Sequence, residues 1–185
     1  MTEKQRNDRQ AAQLISLFNG RFENSLRTQL CGGGDEPIYL PASDPQSFHK
    51  IIFTRDYFSS ALHEVAHWCV AGAARRKLVD FGYWYAPDGR SAVQQQEFER
   101  VEVKPQAFEW IFSRACNIRF RVSADNLTAG ASPSVEFKNA IAVQAQVWCE
   151  QGLPPRPLLF ASALSEFYGA PSFLLPEYYC PEFLD

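Results

Sequence analysis

Apolar residues in the first part of the chain recur at helical spacing, then at strand spacing. Ala12, Leu14, Ile15 and Phe18 fall on one side of a helix over residues 9–19. Phe22, Leu26 and Leu30 predict a second short helix. It is stopped by Gly32-Gly33-Gly34, where helix propagation is costly. Glu36–Leu40 and Lys50–Thr54 read as strands, the second built on the compact run Ile51-Ile52-Phe53. Pro41, Asp44 and Pro45 mark the loop between them. Leu62, Val65, Ala66, Cys69, Val70 and Ala73 then return to helical spacing. That helix begins near Thr54 or Asp56, either of which suits an N-cap. It ends near Gly72 or in Arg75-Arg76-Lys77, whose charges favour a helix C-terminus.

Alternation resumes at Val79–Tyr85, where Phe81, Tyr83 and Tyr85 face one way and Gly82 and Trp84 the other, and Pro87-Asp88-Gly89 closes this strand as a turn. The best-marked helix follows. Phe98, Val101, Pro105, Phe108, Phe112 and Ala115 form its stripe, and Pro105 is expected to kink it and free the carbonyl of Val101. Phe120–Val122 reads as a short strand, and two more helices lie near 135–150 and 156–168. The proline-rich end, Pro171 to Asp185, is expected to wrap the surface. The pattern predicts an α+β fold: a single domain over residues 1–185, helix-rich, with a small sheet.

Composition narrows the function classes. With 185 residues, 46% of them hydrophobic and 21% charged, the chain can form a sizeable core without disulfides or a metal. Eighteen basic against 21 acidic residues give a net charge of −3. That weakens a direct nucleic-acid role, because phosphate binding is dominated by Lys and Arg. The first ten residues are polar and no apolar run follows them, so neither a secretory signal nor a membrane span is expected. The five cysteines are scattered and form no C-x-x-C pair. They read as reduced thiols of a cytoplasmic protein, several of them small core residues.

The chemistry sits in His63-Glu64-Val65-Ala66-His67, an H-E-x-x-H motif inside a predicted amphipathic helix. Residues four apart on a helix share a face, so both imidazoles reach one metal ion. A third ligand is needed. The other histidine, His49, lies at a strand start, while Glu99 and Glu102 lie on the helix after the motif. Glu102 falls among stripe positions 98, 101 and 105, so it faces inward and is the better candidate. Two histidines and a carboxylate admit zinc with Glu64 as general base, or Fe(II) in an oxygen-activating facial triad. Spacing alone favours a zinc hydrolase, either a metallopeptidase or a metal-dependent ribonuclease. A metal-stabilised binding module is a third class.

Longer runs point further. Gly34-Asp35-Glu36-Pro37-Ile38-Tyr39-Leu40-Pro41-Ala42, His63 to Trp68 and Val79 to Tyr85 resemble the bacterial elongation factor P hydroxylases. So do Pro87-Asp88-Gly89-Arg90, Val101-Glu102-Val103-Lys104-Pro105-Gln106-Ala107 and Asp125-Asn126-Leu127, all in family order. The resemblance implies hydroxylation of the lysine of elongation factor P after a β-lysyl group has been attached. It implies a 2-His-1-carboxylate Fe(II) site, which maps to His63, His67 and Glu102, with O₂ as co-substrate; zinc is expected to bind the same ligands as a non-native occupant, because divalent affinity rises across the first row from iron. It also implies a fold similar to a metal-dependent bacterial ribonuclease. In that setting Glu64 orients a ligand, a bound water or a substrate amine rather than acting as a hydrolytic base. Trp68, Tyr83, Trp84 and Tyr85 are candidates to receive a cationic side chain by cation–π contact, and Asp35, Glu36, Asp80 and Asp125 to pair with it.

Overall fold

The computed structural model describes residues 3–55, 57–80, 90–124 and 132–184. Among the described residues, five α-helices and a small three-stranded sheet give the helix-rich α+β class expected from the sequence. The chain divides into two compact units, Met1–Gly82 and Tyr83–Asp185.

The first unit opens with α1, Glu3–Leu26, one helix where two were expected. Ala11, Leu14, Phe18 and Phe22 are all buried, at steps of three, four and four, so one apolar face continues through Asn19 and Gly20. The Asn19 side chain explains why a poor helix former is tolerated there. Its oxygen accepts from the Leu30 N–H at 2.7 Å and its amide donates to the Leu30 carbonyl at 3.4 Å. The chain reverses at Arg27, whose φ is +49°. Leu30 therefore belongs not to a helix but to strand β1, Thr28–Gly34, which takes in the glycines read as a stop.

Two further strands, β2 (Ile38–Leu40) and β3 (His49–Thr54), complete a sheet of order β1-β3-β2. The central β3 runs parallel to β1, pairing Leu30 with Ile51, and antiparallel to β2, pairing Tyr39 with Ile51. The β1–β3 register shifts between Cys31 and Gly34. At Gly34 a Cβ would lie 2.8 Å from Ile52 Cγ2 and 2.9 Å from the Glu36 carbonyl, so close approach of the backbones requires glycine there.

Helix α2, Phe58–Val70, packs on β3 and on α1. Its N-cap is Tyr57 rather than Thr54, and Asp56 lies outside the described residues. The Arg75-Arg76-Lys77 run is not the end of that helix but a separate 3-10 turn. Of the expected strand Val79–Tyr85, Asp80 forms an isolated antiparallel bridge with Tyr39, and residues 81–85 lie outside the described residues together with the turn at 87–89.

The second unit is helical. Helix α3, Ala92–Ala115, starts at a Ser91–Gln94 capping box and runs unbroken through Pro105, so the proline removes one hydrogen bond without ending the helix. Its buried line includes Phe98, Pro105, Phe108, Phe112 and Ala115, but not Val101, which is 43% exposed. Helices α4 (Val135–Gln151) and α5 (Pro155–Tyr168) both pack on α3. Phe108 stacks on Trp148 at 3.7 Å, and Phe112 meets Phe160 edge-on at 5.0 Å.

Residues Phe120–Val122 form no strand. The segment is held instead by side chains: Gln106 clasps the backbone of Ser123, and Arg90 and Gln95 donate to the carbonyl of Ala124. The proline-rich end does more than wrap the surface. Tyr179 is fully buried against Trp110, its hydroxyl donates to the Phe173 carbonyl, and its own carbonyl accepts from Gln146 at 3.1 Å.

Candidate metal centre

Helix α2 carries the histidine pair. Leu62, Val65, Ala66 and Cys69 are buried and fix which side of the helix faces the core, leaving His63 and His67 half-buried beside that stripe. The Nε2 atoms of the two imidazoles lie 2.9 Å apart, with ring centroids 4.6 Å apart and planes at 68°. Two ring nitrogens converging this closely suit a single ion at metal–nitrogen lengths of about 2.0–2.1 Å. Among the described residues the H-E-x-x-H spacing thus delivers the convergence it predicts.

In the second unit, the two carboxylates weighed as third ligand have separate surroundings. Glu99 Oε2 accepts from the Ser134 hydroxyl at 2.5 Å and Oε1 from the Ser134 N–H at 3.4 Å. Ser134 is also the N-cap of α4, so Glu99 braces a helix start. Glu102 is 3% exposed, and its Oε2 accepts from the Gln106 amide at 3.4 Å. A carboxylate this deeply buried requires compensation by hydrogen bonds or a cation. The first unit thus offers two imidazole donors and the second a buried carboxylate. Imidazole and carboxylate donors of this kind fit a divalent first-row metal and do not by themselves distinguish iron from zinc.

Gln106 is the residue sequence reasoning missed. It is buried one helical turn beyond Glu102. Its amide nitrogen also donates to the Ser123 carbonyl at 2.8 Å, and its oxygen accepts from the Ser123 N–H at 3.1 Å. The available signal was its place four residues after the chosen ligand, on the same inward face. Arg90 is likewise buried, donating to Gln95 at 3.0 Å and lying 4.0 Å over the Phe98 ring.

Among the substrate-contacting candidates, Trp68 is 3% exposed and packed edge-on by Phe18 and Phe22. The Asp80 carboxylate pairs with Arg75 through two bonds of 2.5 and 2.7 Å, which raises the arginine further above its ordinary range. Tyr83, Trp84 and Asp125 lie outside the described residues. Glu64 is half-buried on α2, one turn before Trp68.

An imidazole pair on one helix and a buried carboxylate on another are donor types that metal-dependent enzymes use. The family comparison makes the class specific: the elongation factor P hydroxylase family model matches residues 17–178, and the chain belongs to that family. It is 52% identical over 156 residues to a protein of Haemophilus influenzae named elongation factor P lysine hydroxylase. The match covers 84% of this chain and 88% of that protein.

Proposed function

We propose that this protein hydroxylates the β-lysylated lysine of elongation factor P, using Fe(II) held by His63, His67 and Glu102. The observation that carries the reading is the 52% identity to a lysine hydroxylase of elongation factor P over most of both chains. The converging imidazoles on α2 and the buried Glu102 supply the chemistry that such a reaction needs. Both units then act as one domain over residues 1–185.

Iron bound by three protein groups supplies O₂ activation, which neither imidazole nor carboxylate offers alone. The chain's own residues do the rest. His63 and His67 present ring nitrogens from one helix, and their 2.9 Å approach presets the spacing. Gln106 holds the Glu102 carboxylate in orientation. Glu64, beside His67 on the helix, orients a bound water or a substrate amine. Replacing a C–H hydrogen by hydroxyl consumes O₂ and two electrons from a reductant, and the second oxygen leaves as water. The five cysteines are free thiols, which supports a cytoplasmic setting. Among the described residues no helix is long and apolar enough to cross a membrane.

The test is anaerobic purification and metal analysis, then incubation with β-lysylated elongation factor P in air, read by intact mass. One added oxygen atom is expected with iron-loaded protein. None is expected with His63→Ala, His67→Ala or Glu102→Ala. No oxygen addition by iron-loaded wild type, or equal turnover with zinc, would overturn the proposal.

A further inference from the structure

A cleft in the first unit runs along one strip of α2. Glu64, His67, Trp68 and Ala71 line it at spacings of three, four and seven from Glu64, which places them on one helix face. Tyr39 of β2, Ile51 of β3 and Arg75, Arg76 and Asp80 complete its lining. The strip extends about 10 Å at 1.5 Å per residue. One of the proposed metal ligands, His67, therefore opens directly into this cleft.

The cleft's charges are arranged, not merely present. Arg75 and Asp80 neutralise one another through their two bonds. Asp80 is in turn pinned to Tyr39 by two backbone bonds, from Tyr39 N–H at 2.6 Å and from its own N–H at 3.0 Å. The Tyr39 hydroxyl donates to the Arg76 carbonyl at 3.0 Å, so one tyrosine fixes both ends of the segment from 76 to 80. Arg76 donates one N–H to the Ala71 carbonyl at 2.5 Å. Its guanidinium carries five donors in all and lies on the cleft lining. The result is an apolar trough of tyrosine, tryptophan and alanine with a guanidinium and a carboxylate, Arg76 and Glu64, on its lining.

We propose that this cleft reads the aminoacyl group on the substrate lysine, Arg76 donating to its amide carbonyl and Glu64 accepting from one of its ammonium groups. The inference rests on the function proposed above and names what that site recognises. A bare lysine offers one ammonium and no carbonyl. A β-lysyl amide offers a carbonyl, an ammonium two carbons away and a second at the chain end. An acceptor and a donor lining one cleft match the β-lysyl amide and not the bare lysine. Glu64 and Arg76 are then specificity residues, and the Arg75–Asp80 pair with Tyr39 positions them.

The experiment measures affinity rather than turnover. The full chain, held without oxygen, is titrated with elongation factor P in its β-lysylated and unmodified forms. Wild type is expected to prefer the modified form. In Glu64→Gln and Arg76→Gln that preference falls about ten- to a hundredfold, the range for a lost charge-assisted hydrogen bond, while affinity for the unmodified form stays the same. Lys77→Ala, an exposed charge on the same turn, keeps the full preference. A small β-lysyl amide of an alkylamine competes with wild type and fails to compete with either variant; circular dichroism melts check that both variants are folded. Equal preference in wild type and both variants overturns the proposal. So does displacement by succinate or phosphate in place of the β-lysyl amide, which would make the cleft an anion site. If wild type adds no oxygen to elongation factor P yet still discriminates between the two forms, the reaction reading fails and the recognition reading stands.

Discussion

Replacing Gln106 with leucine isolates the element that holds the buried carboxylate of α3. Leucine roughly preserves volume, so no large cavity opens, but it neither donates nor accepts. Three bonds are lost: 2.8 Å to the Ser123 carbonyl, 3.1 Å from the Ser123 N–H, and 3.4 Å to Glu102. Each stranded buried polar group costs about 1–3 kcal/mol, but Ser123 is exposed, so water recovers much of its share. A net loss of about 2 kcal/mol is expected. For a chain of this length that lowers the melting temperature by about 4–8 °C. The second effect is on metal affinity. Removing the partner that orients a metal-ligating carboxylate typically costs 10–100-fold, so zinc or iron binding is expected to weaken at least about tenfold. Differential scanning calorimetry of metal-free protein reads the first effect, and competitive chelator titration the second. A melting temperature within about 1 °C of wild type, with unchanged metal affinity, would refute the role assigned to Gln106.

The other carboxylate weighed as third ligand gives the contrast: Glu99→Gln keeps metal and hydroxylation and loses about 1 kcal/mol of stability, because Glu99 holds the α4 cap residue Ser134. Loss of metal in Glu99→Gln, measured by elemental analysis, would transfer the ligand role to it. The imidazole of His49 is held below its ordinary range by burial, then by Arg27 and Arg76, and its Nδ1 accepts from the Ala42 N–H at 2.9 Å. The folded state therefore favours neutral His49. As pH falls below about 6.5 the unfolded chain takes up the proton first and stability drops. Urea midpoints of metal-free protein between pH 7.5 and 5.5 should fall less steeply in His49→Gln, and identical slopes would refute the assignment. Tyr179→Phe removes the hydroxyl that donates to Phe173 and is expected to cost about 1 kcal/mol, or 2–4 °C in a thermal melt. No shift would mean that water replaces the bond.

Local periodicity and motif spacing by themselves determined the histidine helix, the long helix carrying Glu102 and the helices near 135–150 and 156–168. In each of these the information lies within a few residues: i, i+4 neighbours share a face wherever the helix is placed. The H-E-x-x-H run thereby specified that two imidazoles converge, and the longer matching runs specified the family. Tertiary structure decided the rest. Thr28–Gly34 is a strand because β3 offers it a parallel edge, a partner about twenty residues away that overrides three glycines. Leu30 leaves the helical series because the chain turns at Arg27. Glu102 faces inward as its place beside the stripe suggested, but Val101, expected on that stripe, is exposed; Gln106 supplies the buried acid with a polar partner on the inward face of α3. Phe120–Val122 has strand-forming residues but no strand beside it among the described residues, and hydrogen bonds from Arg90, Gln95 and Gln106 hold the segment that follows. Tyr179 enters the core from a proline-rich tail because Trp110 and Gln146 receive it. In each case the deciding partner is distant in sequence, and a backbone or polar group must be satisfied by whatever the fold brings beside it.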